Sequence, residues 1–244
     1  MLPQENPRAN ARVKFNRVVQ SGDVDVFLQV ALGGDNLSGI KVRNVDHKQP
    51  EDVAVAVHKK VTKLRAGKDK LFKKTFQSLR FVPNLLLGWF VELVAFLGNE
   101  CSVNLPGHGI PRDPFGSAMI TSLGMHGVDI GFAPFFPLAR CPFILLVGSA
   151  QTRPWVVDDK VVPRKILNLC GSFDHRIIDG VLAAKISHVI KDSMQEWTER
   201  TEKALNDGTY EVPEAFLTNP IDEADKAAAA KETPRRAGMR NRKK

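Results

Sequence analysis

Cysteine is scarce: Cys101, Cys141 and Cys170 are the three in 244 residues, an odd number at wide, motif-free spacing. That pattern supports neither a disulfide framework nor a zinc site, no metal is expected, and it suits a reducing compartment, cytoplasm or mitochondrial matrix. Cys141 and Cys170 stand in apolar surroundings and read as small core residues. The opening Met1-Leu2-Pro3-Gln4-Glu5-Asn6 lacks an apolar run and any Arg-rich amphipathic stretch, so neither secretion nor a matrix-targeting peptide is expected. Long apolar runs are also few. Phe81 to Leu97 is borderline in length and carries Pro83, Asn84 and Glu92. A buried or interfacial helix is therefore expected rather than a transmembrane span, with contact at a membrane surface left open.

A sustained excess of charge is missing as well. The net charge is +8, but residues 231–244 hold seven basic groups and one acid, leaving the rest of the chain at +2. A nearly neutral body excludes a specific nucleic-acid-binding fold, and residues 216–244 are expected to form a flexible basic tail. With 43% hydrophobic residues the remainder can build one sizeable core, placed in a domain over residues 1–215.

What is present is an alternation of strand and helix signals. Asp23 to Leu32 starts with polar–apolar alternation and becomes continuously apolar, as a strand entering a core does. Gly33-Gly34-Asp35-Asn36 makes a turn and Leu37 to Arg43 a second strand. Pro50-Glu51-Asp52 opens a helix that ends before Gly67 in a basic run, the polarity that the helix dipole favours. A lysine-rich helix over 71–80 and the apolar helix over 81–97 follow, then the Pro/Gly loop 106–114. Phe143 to Gly148 and Ile166 to Phe173 read as strands, and Val181 to Ile190 as a helix with apolar residues three and four apart.

Between that last strand and helix lies Asp174-His175-Arg176-Ile177-Ile178-Asp179-Gly180. A histidine on a short turn held at both ends can be aimed for acid–base chemistry. Asp179 also suits the N-cap of the following helix. The longer string Leu169 to Gly180 closely resembles the active-site segment of dihydrolipoamide acyltransferases, the core subunits of 2-oxoacid dehydrogenase complexes and relatives of chloramphenicol acetyltransferase. A second match lies upstream: Gly116 to Gly127 resembles that family's strand-and-turn motif, where a hydroxyl residue precedes Leu-Gly. Phe132-Ala133-Pro134 and the strand at Phe143 follow in family-like order, so the resemblance runs from Asp23 to about Trp197.

The resemblance implies an α/β fold: a two-layer, mixed sheet with helices on one side, chloramphenicol-acetyltransferase-like and coenzyme-A-dependent. Two departures are expected. The chain is N-terminally shortened relative to the family pattern, and residues 67–115 form a helical insert that buries against the body, a neighbouring subunit or a membrane surface. The family arginine that pairs with the aspartate matching Asp179 lies in the missing region; Arg176 and Arg8 are replacements by charge only.

Acyl transfer between thiols needs a base, because the thiolate is the nucleophile. His175 is the histidine in a suitable setting for that task. By resemblance Thr121 is the hydroxyl donor to the tetrahedral oxyanion and Ser122 the adjacent alternative, since strand alternation lets only one face the site. Asp179 fixes the loop. His126 is a candidate channel residue, while His47, His58, His108 and His188 carry ordinary loop or helix readings. Phe132, Phe135, Phe136 and Phe143 are expected in the core or at subunit contacts. The family's site lies between subunits of a trimer, which coenzyme A and a second thiol enter from opposite ends. A homotrimer, a larger oligomer built from trimers or a larger protein assembly is thus expected, with coenzyme A as substrate and no lipoyl group on this chain. The alternative is a structural or scaffolding subunit that retains the trimer-forming fold without catalysis.

Overall fold

In the computed structural model, residues 7–32, 37–66, 83–103, 113, 115–135 and 140–209 are described. The Gly33–Asn36 turn, the lysine-rich helix, most of the 106–114 loop and the basic tail lie outside the described residues.

The central feature is a five-stranded mixed sheet in the order β4-β3-β5-β6-β9. Its strands are β3 (Val26–Ala31), β4 (Leu37–Val42), β5 (Ala118–Ser122), β6 (Phe143–Val147) and β9 (Leu169–Phe173). β3–β4 and β6–β9 pair antiparallel, whereas β3–β5 and β5–β6 pair parallel. Paired residues share a face. Leu28, Ile120, Leu145 and Gly171 therefore line one side, and Phe27, Met119, Ile144 and Ser172 the other.

Two long helices cover the first side. α1 (Pro50–Arg65) begins with Pro, Glu and Asp and ends on Lys63 and Arg65, complementing its dipole. It packs Val61 and Leu64 against Val30 and Ile40. The C-terminal helix, α3 (Gly180–Asn206), packs Leu182 and Ile186 with Ile177, Ile178 and Ala11, flanked by Phe143 and Phe173. Arg200 of α3 reaches Glu51 of α1 at 3.0 Å. The opposite face holds Met119, Cys141 and Ile144, with Phe27, Phe115 and Ala133 against them. The two-layer arrangement with helices on one side is the expected one.

Three features were not anticipated. Two antiparallel hairpins flank the sheet: β1–β2 (Ala11–Lys14, Arg17–Gln20) and β7–β8 (Gln151–Val157, Lys160–Ile166). Each turns on two residues with positive φ, Phe15-Asn16 and Asp158-Asp159, the backbone that twisted two-residue hairpins require. The expected continuous strand 166–173 is broken at Leu167-Asn168, because β8 pairs with β7 while β9 pairs with β6. The expected Val181–Ile190 helix continues to Asn206, far beyond its packed residues.

In the insert, α2 (Asn84–Ala95) runs into a π turn, Phe96–Glu100. The buried Glu100 carboxylate accepts from the Phe15 N–H at 2.6 Å and pairs with Arg140. No helix among the described residues is long and apolar enough to cross a membrane. Ile178, 1% exposed, is central to the cluster under α3. Ile178→Ala is expected to lower stability by about 2–5 kcal/mol, read from the midpoint and slope of urea unfolding.

Candidate functional site

The turn from Asp174 to Asp179 is fastened at every point except His175. The Asp174 N–H donates to the Pro142 carbonyl at 2.9 Å, tying the end of β9 to the start of β6. The N–H groups of Ile177 and Ile178 both donate to the Asp174 carbonyl at 2.9 Å. Their side chains are buried under α3, which anchors the turn by apolar burial. Asp179 is the N-cap of α3, its Oδ1 accepting from the Leu182 N–H at 2.8 Å. His175 projects from this frame into solvent, and among the described residues no hydrogen bond or ion pair engages its ring.

Arg176 does not meet Asp179. Its Nε and Nη2 donate to the two carboxylate oxygens of Asp174 at 2.9 and 2.6 Å, and its N–H donates to Asp174 Oδ1 at 3.1 Å. This corrects the reading of Arg176 as a candidate, by charge, for the partner of Asp179: a two-residue offset lets guanidinium and the Asp174 carboxylate meet in a fork. Arg8 lies exposed on the short 3-10 turn before β1 and forms no ion pair among the described residues. A Cβ on Gly180 would meet nothing within 4 Å, so no contact within this chain demands glycine there.

The hydroxyl pair sits at the end of β5. Thr121, 9% exposed, shares the face of Met119, whereas Ser122 points to the other side. The Ser122 Oγ is engaged locally, accepting from the Gly124 N–H at 3.3 Å. Alternation thus separates the two candidates, and the Thr121 hydroxyl makes no hydrogen bond among the described residues. The strand end is strapped down: the Leu123 N–H donates to the Val147 carbonyl and the Ser149 N–H to the Val128 carbonyl. A side chain at Gly148 would collide with the Asp129 carbonyl. His126 is exposed on the 3-10 turn Gly124–His126, at the Thr121 end of the sheet.

His175 and Thr121 lie at opposite ends. Phe173 pairs with Phe143 at the start of β6, while Thr121 pairs with Leu146 near its end. Three residues of strand separate those rows by about 10 Å, and two strand spacings add about 9.6 Å across the sheet. One chain cannot bring the imidazole and the hydroxyl onto one substrate.

At the His175 end, a charged cluster binds the sheet's edges. Lys41 pairs with Asp25 at 2.9 Å and Arg12 with Asp113 at 2.8 Å. Burial opposes the charged form of Asp25, but the Lys41 hydrogen bond, the Asn44 N–H and nearby cations prevail, and its carboxyl lies below the ordinary range. Cys141, also here, is fully buried, and burial pushes its thiol up to about 11, so it is no nucleophile. Cys170 is half-buried in β9. Phe143 stacks on Phe173 with ring centroids 5.0 Å apart, but Phe132 is 73% exposed rather than in the core of this chain. Phe136 and His108 fall outside the described residues. Among the described residues no group of three or more His, Cys, Asp or Glu is placed to hold a metal.

Residues 115–201 match the model of the 2-oxoacid dehydrogenases acyltransferase (catalytic domain) family. That match spans about a third of the chain and includes both the β5 strand and the His175 turn. The acetyltransferase component of the Zymomonas mobilis pyruvate dehydrogenase complex is 36% identical over 81 residues, 33% of this chain and 18% of that protein. The lipoamide acyltransferase component of the branched-chain alpha-keto acid dehydrogenase complex of Bacillus subtilis is 25% identical over 199 residues, 81% of this chain and 37% of that protein. The chain therefore spans less than two-fifths of the length of either relative. The solved dihydrolipoamide acetyltransferase of Azotobacter vinelandii superposes with a TM-score of 0.53 at 25% identity, covering 78% of this chain and 62% of that one. The fold is that of the acyltransferase catalytic cores.

The cap carries a prediction. Asp179→Ala is expected to cost about 0.5–2 kcal/mol, and Asp179→Asn far less because asparagine caps comparably; thermal unfolding compares them. A second concerns pH. The Arg176 hydrogen bond holds the Asp174 carboxyl below its ordinary 3.8, against an opposing effect of burial. The resulting stabilisation is present above about 3.8 and is lost as pH falls through the lower folded value. Arg176→Ala should raise the Asp174 titration midpoint, followed by carboxylate NMR.

Proposed function

We propose that this chain is a coenzyme-A-dependent acyltransferase whose site forms where two copies meet, with His175 as base and Thr121 as oxyanion donor. The observation that carries it is the rigidly framed, solvent-facing His175, without a partner among the described residues, on a turn otherwise locked in place. His175 removes the proton from an incoming thiol, and the thiolate attacks the thioester carbonyl. The Thr121 hydroxyl donates to the oxyanion of the tetrahedral intermediate. Collapse breaks the other carbon–sulfur bond, and the imidazolium returns its proton to the departing thiolate. Coenzyme A is one thiol partner and a dihydrolipoyl-type dithiol on another protein the other. The Azotobacter vinelandii acetyltransferase was studied for the roles of a serine, a histidine and an asparagine in its mechanism. We read Thr121, His175 and Asp179 as the hydroxyl, imidazole and helix cap of a comparable site here.

The strand register motivates the shared site, since within one chain the two groups lie at opposite ends of the sheet. A homotrimer is one closed assembly that joins the His175 end of one copy to the Thr121 end of the next, and it is the one the family resemblance favours. Thr121's position on the face opposite the helices suits contact with a neighbour. A reducing compartment, cytoplasm or mitochondrial matrix, accommodates its free thiols and thiol substrates.

With acetyl-CoA and dihydrolipoamide as substrates, His175→Ala is expected to lower kcat by about 10²–10⁴-fold. Thr121→Ala should lower it by about 10²–10³-fold. Co-assembling the two variants should restore part of the activity, because some mixed interfaces pair an intact His175 with an intact Thr121. Unchanged turnover in His175→Ala would rule out the base and leave a scaffolding role. No recovery on mixing would rule out the shared site.

A further inference from the structure

The insert helix α2 leaves an apolar stripe uncovered. Leu86, Trp89 and Leu93 of α2, with Phe96 at the start of the π turn that continues it, are all exposed, Trp89 to 73%. Their spacing of three, four and three residues puts them on one face, a strip about 15 Å long at 1.5 Å per residue. The single charge on α2, Glu92, flanks that strip three residues from Trp89.

The body of the same chain carries a matching recess. Between β6, β9 and α3 lies a groove of about 310 Å³. Phe143, Leu145, Leu169, Phe173, Ile190 and Met194 line it, and Lys191 is the one charged residue on its wall. Along α3 it runs from Ile186 to Met194, about 12 Å, close to the strip's length. Neither Glu92 nor Lys191 forms an ion pair among the described residues. The base of α2 is pinned by Glu100 to Arg140 and to the Phe15 N–H, and by the Phe15–Phe96 edge contact with centroids 6.1 Å apart. Held there, the strip remains exposed in one copy.

We infer that α2 of one copy docks by its Leu86–Trp89–Leu93–Phe96 strip into the β6–β9–α3 groove of a second copy, with Glu92 against Lys191. Complementary charge and matched length select this occupant. A membrane surface fits poorly, because α2 has no lysine or arginine, whereas interfacial helices carry cations on their polar face. Every copy presents one strip and one groove, so each contact leaves further ones available for a closed assembly. The contact is independent of acyl-transfer chemistry and of the His175–Thr121 pairing.

Covalent trapping tests it in the full chain, in a background where Cys101→Ser and Cys170→Ser remove the unburied thiols. Two differently tagged chains, one Glu92→Cys and the other Lys191→Cys, are co-expressed and treated with a short bis-maleimide. The expected result is a covalent pair carrying both tags, absent from the parent background and lost when Trp89→Asp is added to the Glu92→Cys chain. The Glu92→Cys/Lys191→Cys double variant of one chain provides the counter-test. Cross-linking within that chain, without a mixed-tag product, would place α2 in its own groove and overturn the inference. Absence of any cross-link, with circular dichroism showing folded protein, would overturn it equally. Activity is not read, so failure here is distinguishable from failure of the catalytic reading.

Discussion

The turn that presents His175 depends on two buried neighbours. Ile177 and Ile178 sink into the cluster formed by Leu182, Ile186 and Ala11, so the chain from β9 to α3 has one way to lie. The Asp174 carbonyl and the Asp179 cap fix its two ends. With apolar anchors pulling inward on one side, the histidine two positions earlier is directed outward. Removing that burial would free the turn even if every polar contact remained, because these hydrogen bonds also exchange with water at a modest net gain of about 0.5–1.5 kcal/mol each. Core packing and the candidate site are therefore one structure, and α3 serves both.

The same burial recruits the N-terminal hairpin. Ala11 belongs to the α3 cluster, Arg12 pairs with Asp113 before β5, and Phe15 meets Glu100 and Phe96 at the base of the insert. The hairpin thus ties the His175 turn, the entry to β5 and the insert together. Phe15 holds a positive φ, a costly backbone for an aromatic residue, and the Glu100 carboxylate and Phe96 ring hold it in place. Separate segments of chain become one end of the molecule through these few contacts.

Among the described residues of one copy much is unmatched: His175 stands far from the Thr121 hydroxyl, that hydroxyl has no hydrogen-bond partner, the α2 strip is uncovered and a groove opens beneath α3. A two-stranded hairpin such as β7–β8, with Trp155, Val156 and Val161 largely exposed, is marginal in isolation. These features share a physical cause. Apolar surface and polar groups left unsatisfied within one chain gain free energy by association, which is what the proposed shared site and the proposed α2 contact have in common.

Much of this was legible from residue order. Pro50 with its acidic first turn marked α1, the apolar runs at Phe143 and Leu169 marked central strands, and the string from Leu169 to Gly180 marked the turn and the family it resembles. Periodicity and capping are local, so a local pattern reports them. Three things were not local. Arg176 chose Asp174 because a folded turn set their distance. The strand expected over 166–173 broke because its halves pair with different partners. Sequence narrowed the hydroxyl to Thr121 or Ser122, but the β5–β6 register decided which face each takes and set Thr121 far from His175. Residue types and short spacings determined which groups were available for chemistry. Which of them meet was decided by strand pairing and burial, because those contacts join residues that are distant along the chain.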